Sequence, residues 1–303
     1  MSKCEIKNSL WFVLADGIRI YFSNIDKFVL YMLFPVFGQI LGLSLAFGLT
    51  VGLADKIAQR ATSLSSSLLL VFLLAIPGLL IFIKAFWDYM VAYVALNSMT
   101  EGALTTGKVY DFQSHREVAT RRFFKFIGLL MVVGILTAIG SSIFFIIPAF
   151  VLWIYLILVF QVFTFEPDLT IKECFYRSFE IVKGDWLRTF ILMVVLVFLT
   201  MFLITEGVSV IFDYLNLTSP LSHAFDFITN PIPLDNINRI LVHFGKPIIT
   251  PEIISGWIFY SLISWIVAGL TLPVRSICWT LWYANLSELK SVPQDKKCKK
   301  EKE

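Results

Sequence analysis

Residues 28–54 run for 27 positions without a charged side chain. At 1.5 Å of rise per residue, a helix of that length crosses a ~30 Å hydrocarbon layer with room to tilt. Lipid offers the backbone no hydrogen-bond partners, so such a stretch has to satisfy its own N–H and C=O groups as a helix. Further apolar blocks follow, and the chain as a whole is 57 % hydrophobic and 16 % charged, a membrane composition rather than that of a soluble domain. The pattern predicts an all-α, polytopic membrane helical bundle. Its six transmembrane helices fall near 28–54, 68–96, 126–147, 148–166, 190–212 and 253–286, and form a single transmembrane domain over 1–290. A basic tail at 291–303 is expected to be disordered and cytoplasmic.

Several of these limits follow from local chemistry. The block 126–165 is too long for one span, and Gly140, Ser141, Ser142 and Pro148 divide it into two spans joined by a tight hairpin. The second helix starts after a polar turn at 55–67 and continues past Lys84 and Asp88, which stand one turn apart, to about residue 96. Gly38, Gly42 and Ala46 form one row of small residues, and Ser44, Gly48 and Gly52 another, so neighbouring helices can approach closely there. Pro35 and Gln39 mark a kink or a cavity. In the long loop 213–251, a short helix is expected at 235–244, ended by Gly245. Thr250 as N-cap and Pro251 at the first helical position start the last span.

Charged segments lie between the blocks. Residues 3–25 place Leu10, Leu14, Gly17, Ile18 and Tyr21 on one helical face, with Ser2 and Glu5 spaced as a capping box. Such a helix either lies in the headgroup layer or packs on the spans as core. Residues 166–189 have the same character. Thr170 and Glu173 are spaced as a capping box, Phe175, Phe179, Val182 and Trp186 share a face, and Gly184 sits where the helix should end. Glu173 and Arg177, four apart, are expected to pair on the wet face.

Lys and Arg set the orientation of a membrane protein, and they are segregated here. The N-terminal segment, the 97–125 loop, the 166–189 segment and the tail carry nineteen; the alternate turns carry four, Lys56, Arg60, Arg239 and Lys246. Both termini are therefore expected in the cytoplasm, within a multi-pass protein of a cell membrane. Trp11, Trp87, Arg177, Lys183, Trp186, Trp279 and Trp282 are expected as anchors at the inner interface, and Trp153 and Trp257 near the outer one. The first residues lack the order of a cleavable leader, because Asp16 and Arg19 interrupt the apolar run. The four cysteines have no CxxC spacing, so a zinc site is not expected, and this topology places all four on or near the reducing side, so disulfides are not expected either.

Intramembrane polar residues are the candidate sites. Lys84, Asp88, Glu166 and Arg275 are expected at one depth near the cytoplasmic boundary, where they could meet a lipid phosphate or simply snorkel. Glu206 lies well past the middle of its span, in the outer half, without an evident partner; it is either a protonatable site or an acid at the outer interface. No HExxH, phosphate loop or GxSxG occurs, so an enzyme is not expected and no cofactor is implied.

The segment CFYRSFEIVKGDW, at 174–186, resembles an element of bacterial multi-span proteins: the membrane domain attached to some glycerophosphodiester phosphodiesterases, and related stand-alone integral proteins. Ser178, Lys183, Gly184 and Trp186 carry the likeness. The soluble catalytic barrel of those enzymes has no counterpart in this chain, so their activity does not transfer. The function expected is non-enzymatic: membrane organisation, lipid interaction or support of a partner complex. The alternative is a small-solute or lipid transporter or channel using Glu206, Lys84, Asp88 and Arg275, with an enzyme of lipid metabolism third. Membrane lipids are the expected partners, with other membrane proteins or a second copy, and not nucleic acid.

Overall fold

The computed structural model describes residues 9–53, 56, 59, 63–107, 109, 112–143, 146–230, 232 and 234–291. Among these there is no β-strand; the fold is an all-α bundle. In chain order the helices are α1 (Leu10–Ser23), α2 (Ile25–Gly52), α3 (Leu64–Thr106), α4 (Phe112–Thr120), α5 (Phe123–Ile143), α6 (Ile146–Leu156), α7 (Val159–Phe165) and α8 (Ile171–Val182). After them come α9 (Trp186–Tyr214), α10 (Thr218–Ser222), α11 (Asp226–Thr229), α12 (Asp235–His243), α13 (Pro251–Leu270) and α14 (Leu272–Ser291). Helix α9 passes through a π-helical turn at Phe198–Leu203.

Among the described residues, four helical stretches are long and apolar enough to cross a membrane: Ile25–Thr50, Leu64–Thr106, Trp186–Tyr214 and Pro251–Ser287. The two middle blocks form the shorter apolar stretches Phe123–Ala138 and Phe150–Phe165. Gly140, Ser141 and Ser142 are helical, in the last turn of α5, and Pro148 sits in the first turn of α6, where a missing N–H costs nothing. The expected hairpin between them falls on residues 144–145, outside the described residues. The second apolar stretch extends beyond residue 96 to Thr106, giving 43 helical residues. The last one is interrupted at Thr271, and Pro273, which lacks an N–H, lies in the first turn of α14.

The chain divides into two compact units. One comprises residues 1–31, 90–197 and 271–303. Its core is built from fully buried Phe28, Leu96, Met99, Phe126, Phe163 and Trp282, among others. Helix α1 packs along α14, burying Val13, Leu14, Gly17, Ile20 and Tyr21, so of its two readings the one realised is core packing. A Cβ on Gly17 would come within 2.5 Å of the Cys278 sulfur, which is why this close approach needs a glycine. The proposed Ser2 and Glu5 cap lies outside the described residues.

The other unit comprises residues 32–89 and 198–270. Here the Gly38, Gly42 and Ala46 row meets α3: a Cβ on Gly42 would stand 2.5 Å from the Phe82 backbone nitrogen and 2.7 Å from the Gly78 carbonyl oxygen. The Gly48 and Gly52 row makes no such approach. Gln39 is buried and donates to the Pro35 carbonyl at 2.6 Å. Helix α13 packs Phe259, Ile263 and Val267 against Ile204, Val208, Phe212 and Phe225. Outside this core, α3 exposes Leu69, Phe72, Leu80, Ile83 and Phe86, and α9 exposes Phe198, Phe202, Val210 and Ile211. An apolar surface of that extent is stable in lipid and not in water, so the chain is a membrane protein.

Candidate functional site

The densest polar constellation in the first unit centres on a residue the sequence reading passed over. Asn97 is fully buried on α3. Its Oδ1 accepts from Ser276 Oγ at 2.8 Å, with longer approaches of 3.4 Å from Thr280 Oγ1 and Gln161 Nε2, while its Nδ2 donates to Thr164 Oγ1 at 3.2 Å. Three helices, α3, α7 and α14, thereby share one side-chain amide. Ser, Thr, Asn and Gln bonded across helices are the usual polar glue of a membrane bundle. Gln161 is itself 5 % exposed, and its Oε1 has no hydrogen-bond partner among the described residues.

A second group joins α8 to α14. Arg177 Nε donates to both oxygens of Glu166, at 3.1 and 3.2 Å, and the Tyr283 hydroxyl donates to Glu166 Oε1 at 2.8 Å. The pairing of Arg177 with Glu173 expected from their spacing is not formed. Glu173 is engaged at the helix start, where its carboxylate accepts from the Thr170 N–H at 2.7 Å and its own N–H donates to Thr170 Oγ1 at 3.3 Å. The capping box thus removes Glu173 from competition and leaves Arg177 to Glu166. Gly184 ends the segment with φ +98°, a conformation that suits glycine.

Helix α8 seats on α6 through Ser178, which is fully buried and donates to the Tyr155 carbonyl at 2.8 Å, with the Tyr155 and Phe179 rings 4.4 Å apart. Trp186 stacks on Phe190 at 5.6 Å. Arg122 covers the C-terminal end of α7, donating to the Phe163 carbonyl at 2.6 Å and lying 4.1 Å from the Phe163 ring. Lys125 donates to the Pro167 carbonyl at 3.3 Å. Cations at a helix C-terminus offset the carbonyl dipoles there.

In the second unit Lys84 pairs with Asp88, as their spacing predicts, and its ammonium lies 5.6 Å from the Phe34 ring. Glu206 is exposed on α9. Arg275 lies in the first turn of α14, in the unit that also holds Glu166; Lys84 and Asp88 belong to the other. Of the expected anchors, Trp11 is 72 % exposed, Lys183 is exposed, and Trp87, Trp186 and Trp279 are half-buried. Trp282 corrects its expected role. It is 1 % exposed, and its indole N–H donates to Thr189 Oγ1 at 3.0 Å, so both its ring and its polar atom are used in the core.

Loop residues of the second unit form their own network. Asp226 accepts from Ser255 Oγ at 2.8 Å and stands 2.8 Å from His223 Nδ1; those contacts hold its carboxyl below the usual range. The Tyr260 hydroxyl donates to Asp213 Oδ1 at 3.0 Å. Among the described residues no three His, Cys, Asp or Glu side chains converge as metal ligands would. Two shallow concavities, of about 580 Å³ beside Gln113 and Arg116 and about 380 Å³ beside Asp235 and Arg239, share no residue with the Asn97 or Glu166 groups. Against models of protein families, curated proteins and solved structures, the chain has no match.

Proposed function

We propose that this is a six-span, non-enzymatic membrane protein, with both termini in the cytoplasm, that organises or binds lipid through its basic inner face. The observation that carries this reading is the bonding of the interior polar side chains to one another. Asn97 is held by Ser276, Thr280, Gln161 and Thr164, and Glu166 by Arg177 and Tyr283, so these groups brace helices against each other. On this topology α8 lies at the cytoplasmic headgroup layer, with Lys172, Lys183 and Arg188 exposed towards lipid phosphates. The test is the lipid and protein complement retained on purification in a mild detergent. Enrichment of anionic phospholipid over the bulk membrane is the expected result, and a preparation with bulk lipid composition and no partner would count against it.

A transporter or channel is the second reading. It is favoured by one observation, the buried Gln161 Oε1 without a partner, which is where a passing polar ligand would bind. Lys84 argues the other way, being half exposed and paired with Asp88. Solute flux in vesicles that is abolished by Gln161→Leu would establish the transporter in place of the first reading.

A further inference from the structure

The segment between α9 and α13 carries charged and polar residues, yet it exposes a run of large apolar side chains, among them Leu215, Phe227, Ile237, Ile240, Phe244 and Ile248. In α12, Ile237 and Ile240 stand three apart on one face, and Phe244, the residue that caps the helix at its C-terminal end, follows four positions after Ile240. Asp235 and Arg239 occupy the opposite arc together with Val242, which is also exposed; Asn236 and His243 flank it, and Lys246 comes two residues after Phe244. A third direction is fixed by Asn238. Its Nδ2 donates to the Ile249 carbonyl at 2.9 Å and its Oδ1 accepts from the Ile249 N–H at 2.8 Å, clamping the returning chain against the helix. The clamp leaves Ile237, Ile240 and Phe244 facing outward.

We propose that α12 is an interfacial helix, lying in the plane of a phospholipid leaflet with Ile237, Ile240 and Phe244 in the acyl boundary and Arg239 and Lys246 at the phosphates. Three features favour lipid over a protein partner. Val210, Ile211 and Tyr214 at the end of α9, and Leu215 and Leu217 at the start of the loop, are exposed apolar side chains of the same unit, with Asp213 and Asn216 among them. Both ends of the loop are tied to helices long enough to cross a membrane, which keeps α12 near the boundary. The cations flanking the apolar face match the anionic groups found at that depth. The inference rests on the chain crossing a bilayer.

The experiment uses full-length protein with Cys4→Ser and Cys298→Ser. Cys174 and Cys278 are buried, and burial pushes the Cys174 thiol up, so both stay unlabelled. An environment-sensitive fluorophore is attached singly at I237C, I240C, F244C, R239C or H243C, and each protein is placed in phosphatidylcholine and phosphatidylglycerol vesicles. Labels at 237, 240 and 244 should emit to the blue and lose fluorescence to nitroxide lipids labelled near the headgroup, while those at 239 and 243 should be quenched by aqueous iodide. Iodide quenching at all five positions overturns the placement. Blue emission at 237, 240 and 244 that persists in detergent and resists nitroxide lipid also overturns it, because a second copy or another protein then covers the face. Should topology reporters refute the six-span arrangement while nitroxide quenching holds, α12 stays at the membrane and only the topology falls.

Discussion

Asn97 shows what a single polar side chain does inside an apolar bundle. Removing its amide leaves Ser276 Oγ and the Gln161 amide without their acceptor in a buried setting, so Asn97→Ala should lower stability by roughly 1–3 kcal/mol. Unfolding in mixed detergent measures this, and Ser276→Ala should add less than its own cost on that background. Sequence could not single out Asn97, because its partners lie 64 to 183 residues away and no periodicity links them. Arg177 was misassigned for a related reason: spacing ranks Glu173 first but does not know that this carboxylate is already bound at the helix start. Glu173 also makes a pH prediction. The Thr170 backbone N–H, and then its hydroxyl, hold the Glu173 carboxyl below its ordinary value of 4.5. A depressed value means its contribution is present at neutral pH and lost as pH falls below 4.5 through the folded value. Amide exchange over 171–174, corrected for intrinsic rates, should therefore accelerate in that acid range and not above it.

At the scale of elements, punctuation was legible and continuity was not. Thr170, Gly184, Gly245, Thr250 and Pro251 all stand at the helix ends their chemistry predicts, since caps and positive-φ glycines act within a few residues of themselves. Thr170→Ala should cost about 0.5–2 kcal/mol and show as faster exchange in the first turn of α8. The 43-residue length of α3 carries no such local mark, whereas the break at Thr271 stands two residues before Pro273, which has no N–H for the helical ladder. The two small-residue rows look alike in sequence, yet among the described residues a Cβ on Gly42 would meet helix backbone at 2.5 Å, while one on Gly48 would meet only the Phe227 ring at 3.8 Å. Gly42→Leu should accordingly destabilise by about 1–3 kcal/mol or more, whereas Gly52→Leu, with nothing within 4 Å, should leave the melting temperature unchanged.

Across the whole molecule, nineteen Lys and Arg fall on one set of alternate segments and four on the other. Reporter fusions at residues 60 and 240 should read as external and a C-terminal fusion as cytoplasmic; an internal signal at either loop position overturns the arrangement. Composition made the bundle legible because apolar excess needs no partner to be recognised. Trp282 shows the limit: a tryptophan near a span end reads as an interfacial anchor until its neighbours, Thr189 among them, are known. The bonds to Asn97 also carry a schedule. Ser276 and Thr280 leave the ribosome 179 and 183 residues after Asn97, which at about 5–20 residues per second is a delay of about 10–40 s. Gln161 and Thr164 follow 64 and 67 residues after Asn97, so for the rest of that interval the nascent protein holds this amide with only the α7 half of its bonds, and α14 is the helix that completes them. A chain stopped before residue 271 should be cleared by membrane proteases faster than the full chain, as pulse-chase would record.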